Sequence, residues 1–443
     1  MKLTQGLGVV ALLALVSGCG KGELILTGQR QDVRDAVIGG TPDEAVSLAP
    51  GENRSVPVSL GAARANADWT QPAGNAQHAP GNVALATTPQ PLWAAPIGAG
   101  ENRKHRITAE PVIAGGRIFT LDSRAVVTAT GTGGATVWQT DLTPSADRAD
   151  DASGGGLATG GGAVFATTGF GDLVALDAAS GKELWRQRFD AAVTGAPAYD
   201  GGRVYAVSLD GAAWALDASN GKVLWTLTGT PSAAGINGGS APAVDARQVV
   251  FPFSSGQLLS VDKARGTGLW SSYVAGERRG RAYATISDVT GVPVIAGGMV
   301  IAGSAAGQIA AVNVDTGQPV WTLRDGALNP VATAGGALFL VNDEDQLLRL
   351  DAATGAEVWR IDMPYFTKDR DRRRRDIYTH FGPLIAGGHL VTVSSDGLLR
   401  SFDPASGALL GTVALGAPAA AAPAIANGVL YVVGQDGRLR AFR

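Results

Sequence analysis

The sequence predicts an all-β protein: an eight-bladed β-propeller with four-stranded antiparallel blades, closed by an N-terminal strand that joins the last blade. Three observations carry this. First, one unit recurs: an apolar strand, a turn and a strand ending in tryptophan. In Asp177/Gly181/Trp185, Asp217/Gly221/Trp225, Asp262/Gly266/Trp270, Asn313/Gly317/Trp321 and Asp351/Gly355/Trp359, Gly stands four residues before Trp and Asp or Asn eight before. Second, the anchor positions 93, 138, 185, 225, 270, 321 and 359, with Gly411 in an eighth place, are separated by 45, 47, 40, 45, 51, 38 and 52 residues. A four-strand unit of about 40–45 residues is a propeller blade. Third, the last repeat stops at Phe442-Arg443, before a fourth strand, while Pro91-Leu92-Trp93 supplies a fourth strand without a preceding turn. Pairing the two leaves no open edge inside the ring.

The chain begins with a different pattern. Lys2 precedes an apolar run, Gly6 to Val16, of signal-peptide length and too short to cross a bilayer. Val16-Ser17-Gly18-Cys19 resembles a bacterial lipobox, and Cys19 is the only cysteine among 443 residues. The resemblance implies a signal peptide over 1–18, cleavage before Cys19 and lipid attachment there. Several acyl chains on one residue give stable anchoring, since each buried CH₂ contributes about 0.8 kcal/mol. Gly20, rather than Asp, after the cysteine points to the outer membrane and its periplasmic side. Residues 19–65 lack a clear period and read as a lipidated tether, with a short strand at Leu24–Leu26; 66–443 is the propeller.

Within each repeat the first strand follows a proline at 111, 197, 242, 293, 330, 383 and 423, with Leu157-Ala158 standing in once. A tight hairpin follows, usually Gly-Gly (115–116, 161–162, 201–202, 297–298, 335–336, 387–388), with Ala246-Arg247 and Asn427-Gly428 in the other two. A second turn such as Asp210-Gly211 leads to the third strand. The Asp or Asn before the last turn accepts hydrogen bonds from the turn amides, and Gly takes the positive φ that closes it. The first repeat has Thr130 in place of the Asp. The seventh has Gly411 in place of the Trp, which predicts a weaker outer anchor. Longer segments at 141–151, 273–290 and 363–378 read as loops from one face. The last contains Asp369-Arg370-Asp371-Arg372-Arg373-Arg374-Arg375-Asp376, the densest charge run in the chain. It reads as a solvated loop with its own acidic neighbours, or as a contact for phosphate or an acidic surface.

Composition narrows the function. Charged residues are 17% and the net charge is −3, so no basic face calls for nucleic acid. A single cysteine excludes an intrachain disulfide and a Cys-based metal cluster. His78, His105, His380 and His389 show no ligand spacing, and the glycines belong to hairpins, not to a strand-to-helix phosphate loop. No catalytic residue, cofactor ligand or metal ligand is nominated.

The Ala-Leu-Asp-x-x-x-Gly-Lys-x-x-Trp unit resembles the tryptophan docking motif of the pyrroloquinoline quinone (PQQ) propeller superfamily, across about residues 68–443. One branch contains dehydrogenases that bind PQQ and calcium on the ring axis, many with an adjacent cysteine pair that this chain cannot form. Lipobox, tether and eight blades are similar to the other branch, the BamB family of lipoproteins in the outer-membrane β-barrel assembly machinery. Pro231 to Pro242 resembles a family loop Leu-x-Leu-Arg-Gly-x-Ser-x-Pro, which puts Ala234, Ile236 and Asn237 at the Leu, Leu and Arg positions. Ser287-Asp288-Val289-Thr290 resembles Ser-Asp-Val-Asp, which puts Asp288 and Thr290 at the two Asp positions. Asn237 and Thr290 depart from the pattern, so a charge pair expected there is only half present. The resemblance implies a non-catalytic scaffold that binds the periplasmic POTRA domains of a BamA-like partner through these five residues. It further implies that exposed blade edges receive strands of unfolded outer-membrane proteins. The alternative is a membrane-tethered PQQ-dependent dehydrogenase.

Overall fold

The computed structural model describes residues 52–232, 240–274, 276, 286–368 and 370–443. The strand proposed at Leu24–Leu26 and the lipid attachment at Cys19 lie outside them. Eight four-stranded sheets follow one another around a ring. Blade 1 spans 112–141, blade 2 157–188, blade 3 198–228, blade 4 243–273, blade 5 289–323, blade 6 332–362 and blade 7 380–414. Blade 8 combines three strands over 424–442 with Pro91–Pro96. The closing register pairs Pro91 with Phe442, Ala94 with Arg440 and Pro96 with Arg438, as the chain ends predict. Gln90 N donates to Arg443 O at 2.6 Å and Arg443 N to Gln90 O at 2.8 Å.

All strand pairing within the blades is antiparallel, so connections alternate between two faces. First hairpins and Asp-x-x-x-Gly turns lie on one, the hairpin face. Second turns and blade-to-blade connectors lie on the other, the connector face. Outer strands are tied to second turns of their own blade: Leu142 N donates to Ala125 O, Phe189 N to Gly171 O, Gly229 N to Gly211 O and Val274 N to Gly256 O.

The core lies between blades, not within them. Phe165, Leu173 and Trp185 of blade 2 pack with Val204 and Leu216 of blade 3, and the pattern repeats around the ring. Each docking tryptophan reaches the turn of the next blade. A Cβ on Gly181, Gly221, Gly266, Gly317 or Gly355 would meet Trp138, Trp185, Trp225, Trp270 or Trp321 at 2.5–2.7 Å. Indole Nε1 donates to the same turns: Trp185 to Ala218 O at 2.9 Å, Trp270 to Val314 O at 2.8 Å and Trp321 to Ala352 O at 2.9 Å. Glycine is required twice over, by its positive φ and by the ring lying on its face.

This explains Gly411. Its strand, Leu409–Ala414, faces blade 8, whose third and fourth strands come from opposite ends of the chain and have no connecting turn. A tryptophan there would have nothing to dock on.

Residues 66–83 are not a blade. They make one circuit of the hairpin face and meet the blades in turn. Asn66 O accepts from Asn427 N of blade 8 at 2.7 Å, and Trp69 exchanges two backbone bonds with Ile113 of blade 1. Thr70 O accepts from Thr159 N of blade 2, and the Gln71 amide bonds both backbone groups of Tyr199 in blade 3. Ala76 O accepts from Val244 N of blade 4, and Gln77 O from Ile295 N of blade 5. Ala79 packs into the core of blades 5 and 6, and Val83 N donates to Ile385 O of blade 7. The circuit satisfies backbone groups that the short inner strands leave unpaired. It also covers the hairpin-face end of the axis.

The segment 52–65, expected as part of the tether, lies on the ring. Arg54 N donates to Val358 O of the outer strand Glu357–Asp362, and Asn53 Oδ1 and Nδ2 bond Arg360 N and O. Arg349 donates to the carbonyl of Val56, and Arg64 N to Asn82 O. Unpaired backbone groups on an outer strand and on this segment satisfy one another, which accounts for the contact.

Candidate partner-binding site

Of the two segments singled out by the sequence, 231–242 belongs to the connector from blade 3 to 4, and 287–290 ends the connector from blade 4 to 5 and enters the first strand of blade 5, Val289–Ala296, so their described residues lie at the connector face. Ala234, Ile236 and Asn237 lie outside the described residues. Asp288 and Thr290 are described. Together with Ser240 of the first segment, they line one small cleft of about 40 Å³ with Thr194, Ser208 and Phe253. Asp288 sits inward, 5% exposed, and its carbonyl accepts from Ala305 N at 3.3 Å. Thr290 is half-buried, and its Oγ1 donates to Ala327 O at 2.6 Å. The second loop is therefore pinned to blade 5 and to the connector toward blade 6, which makes it a rigid ledge.

Beside this cleft the ring axis forms a funnel of about 220 Å³, open on the connector face and backed by Pro72 of the circuit. Thr108, Gly156, Ala196, Ser240, Thr290 and Ala421 are among its lining residues. Glu110 is its one carboxylate among the described residues and accepts from Ala73 N at 3.0 Å. Burial pushes its pKa up to about 7, against a smaller lowering by that hydrogen bond. One carboxylate falls short of the 6–8 oxygen ligands that calcium takes. The volume is below the ~300–1,000 Å³ of ordinary cofactor pockets. PQQ and its calcium do not fit these residues. Among the described residues, no group of three or more His, Cys, Asp or Glu could hold a metal ion.

The outer edges carry a second feature that the repeat hides. In six of the eight blades the residue before the anchor position points outward. Leu92, Val137, Leu184, Leu224, Val320 and Leu410 are 42–51% exposed, whereas Leu269 of blade 4 is half-buried against the core between blades 4 and 5. Val358, their equivalent in blade 6, is only 9% exposed, because the segment around Arg54 lies against its strand. The apolar residue before each Trp is visible in the sequence. Its exposure follows only once the strand is known to be outermost.

Comparisons agree with the fold and narrow the family. A family model described as outer membrane protein assembly factor BamB matches residues 122–361 and 369–443. The BamB of Alkalilimnicola ehrlichii is 29% identical over 47% of this chain and 52% of its own length. That of Xanthomonas campestris pv. campestris is 31% identical over 80% of this chain and 85% of its own. The chain thus spans about half the length of the first relative and most of the second. Among solved structures, BamB from Moraxella catarrhalis superposes with a TM-score of 0.65 at 17% identity, covering 80% of this chain and 99% of that one. Quinohemoprotein alcohol dehydrogenase from Comamonas testosteroni also superposes with a TM-score of 0.65 at 17% identity, covering 86% and 81%. The two structural likenesses establish the propeller and do not separate its functions.

Proposed function

Because this chain belongs to the family of the outer membrane protein assembly factor BamB, we propose that it is a scaffold of the outer-membrane β-barrel assembly complex, anchored through Cys19 and facing the periplasm. Signal peptide 1–18 directs export. The propeller presents its blade 3–4 and 4–5 connectors to the POTRA domains of a BamA-like partner. Ala234 and Ile236 supply apolar contact, Asn237 and Thr290 polar contact, and Asp288 the remaining charge. The family name is that of an assembly factor, and the role is binding, not catalysis.

One observation supports this reading above the others: Ser240, Asp288 and Thr290 line one cleft although 48 residues separate Ser240 from Asp288. A rigid connector face keeps the ordering cost of binding low. The outer edges favour a subsidiary role toward unfolded barrel strands. Six of the eight carry exposed apolar residues, and the blade 6 edge already holds a backbone segment of this chain.

The test titrates isolated POTRA domains against the propeller and against Ile236→Asp/Asn237→Asp. The expected result is at least about a tenfold weaker Kd, near 1.4 kcal/mol, with an unchanged melting temperature. Unchanged affinity would remove the site from these loops.

A further inference from the structure

Between blades 6 and 7, the described residues 363–368 and 370–379 form a small arm rather than an irregular loop. Phe366 and Ile377 make an antiparallel bridge, Tyr378 N donates to Tyr365 O at 2.8 Å, and Thr367 N donates to Asp376 O at 3.0 Å. At the tip, Asp371–Arg373 makes one 3-10 turn, with Arg373 N donating to Arg370 O at 2.7 Å. Arg374 folds back. It pairs with Asp371 at 2.8 Å, and its guanidinium lies 5.1 Å from the centre of the Phe366 ring. Arg370, Arg372, Arg373 and Arg375 are exposed and make no ion pair among the described residues. Over 368–376 there are six cations and three aspartates, a net charge of +3 in a chain whose total is −3. Beneath the tip, Tyr365, Phe366 and the 49%-exposed Ile377 border an open dish whose other lining residues are Glu344 and Gln346.

Position gives this arm its meaning. It springs from the end of Glu357–Asp362 on the connector face. The described N-terminal segment runs antiparallel along that same strand, Arg54 opposite Val358 and Asn53 opposite Arg360. Traced toward its N-terminal end, the described segment therefore runs along blade 6 toward the end from which the arm projects.

We infer that the blade 6 edge is the membrane-facing side of the ring, and that the Arg370–Arg375 arm docks on anionic phospholipid headgroups. Exposed arginines pair with phosphates bidentately, and Tyr365, Phe366 and Ile377 suit the headgroup boundary. A lipid chain and a basic cluster on one side of a protein act as two signals that fix its orientation. The setting rests on the anchored-scaffold reading; the arm's lipid affinity does not.

The experiment uses the full chain with Cys19→Ser, which removes the acylation site and leaves the arm intact. It is co-sedimented with vesicles of equimolar phosphatidylcholine and phosphatidylglycerol, and with phosphatidylcholine alone. Binding to the mixed vesicles only, released by salt, is expected. Arg372→Gln/Arg373→Gln/Arg375→Gln should lower that partition at least about tenfold with an unchanged melting temperature. Equal partition of the triple variant, equal binding to both vesicles, or no binding to vesicles alongside capture of an acidic protein would overturn the inference. Labelling of the native chain with radioactive palmitate reads the anchor separately, so failure of one does not disguise failure of the other.

Discussion

The packing of Trp185 on Gly221 should appear as a coupling between two residues in different blades. Trp185 is 8% exposed, in contact with Phe165 of its own blade and the turn of the next. A tryptophan buries about 150–250 Å², and at ~25 cal/mol/Å² that is an upper bound of about 4–6 kcal/mol. Large-to-small core changes of this kind cost about 3–5 kcal/mol, and the bond to Ala218 O adds about 1 kcal/mol. Trp185→Ala is therefore expected to destabilise by about 4 kcal/mol. Gly221→Ala carries two penalties. Its φ of +73° costs a residue with Cβ about 1–2 kcal/mol. The new Cβ would also sit 2.6 Å from Trp185 Cε3, and such overpacking costs about 1–3 kcal/mol. Once Trp185 is alanine only the first penalty remains. The double variant should then be more stable than the sum predicts by about 1–3 kcal/mol. Urea unfolding followed by circular dichroism measures all four corners of the cycle. Gly411→Ala, whose Cβ meets nothing within 4 Å, is the near-neutral control. Additivity within about 0.5 kcal/mol would refute the docking of Trp185 on this turn.

Two further outcomes follow from the same geometry. Gly411→Trp restores the repeat's consensus and should change stability by no more than about 0.5 kcal/mol, because blade 8 offers no turn to receive it; the unfolding midpoint checks this. Glu110 should make the ring less stable as pH rises. Its folded pKa of about 7 exceeds the ordinary 4.5, so its contribution is full below pH 4.5 and lost as pH climbs through 7. Glu110→Gln should match the parent in acid and exceed it by about 3 kcal/mol above pH 7, in unfolding midpoints measured across that range.

The ring was legible because its signals are local and repeated. Asp177 caps a turn three residues away, with its carboxylate accepting from Ser180 N at 2.8 Å, and such spacing shows in any linear reading. Blade count and closure followed from where Trp93 and Phe442 stand. The tryptophan partners were less legible, because Trp185 and Gly221 are 36 residues apart and lie in successive repeats. Gly411 looked like a lost anchor and is a position with nothing to hold. Residues 66–83 gave no warning at all. Their hydrogen bonds to successive blades use mainly backbone atoms, with the side chains of Asn66, Asp68, Gln71, His78 and Asn82 interspersed at no repeating spacing. The same holds for Asn53 and Arg54, whose place on blade 6 is written in backbone complementarity. For the candidate site, the loops were identified by likeness, whereas the burial of Asp288 depends on blades 4 and 5 meeting around it.

The central claim is that this propeller is a component of the outer-membrane barrel assembly complex. Its most direct test is capture of the tagged, natively processed chain from detergent-solubilised envelopes, with partners quantified by mass spectrometry. The account predicts recovery of a BamA-like POTRA-containing barrel protein near one-to-one, reduced at least about tenfold by Ile236→Asp/Asn237→Asp. Recovery of the folded chain without any barrel-assembly protein would contradict it.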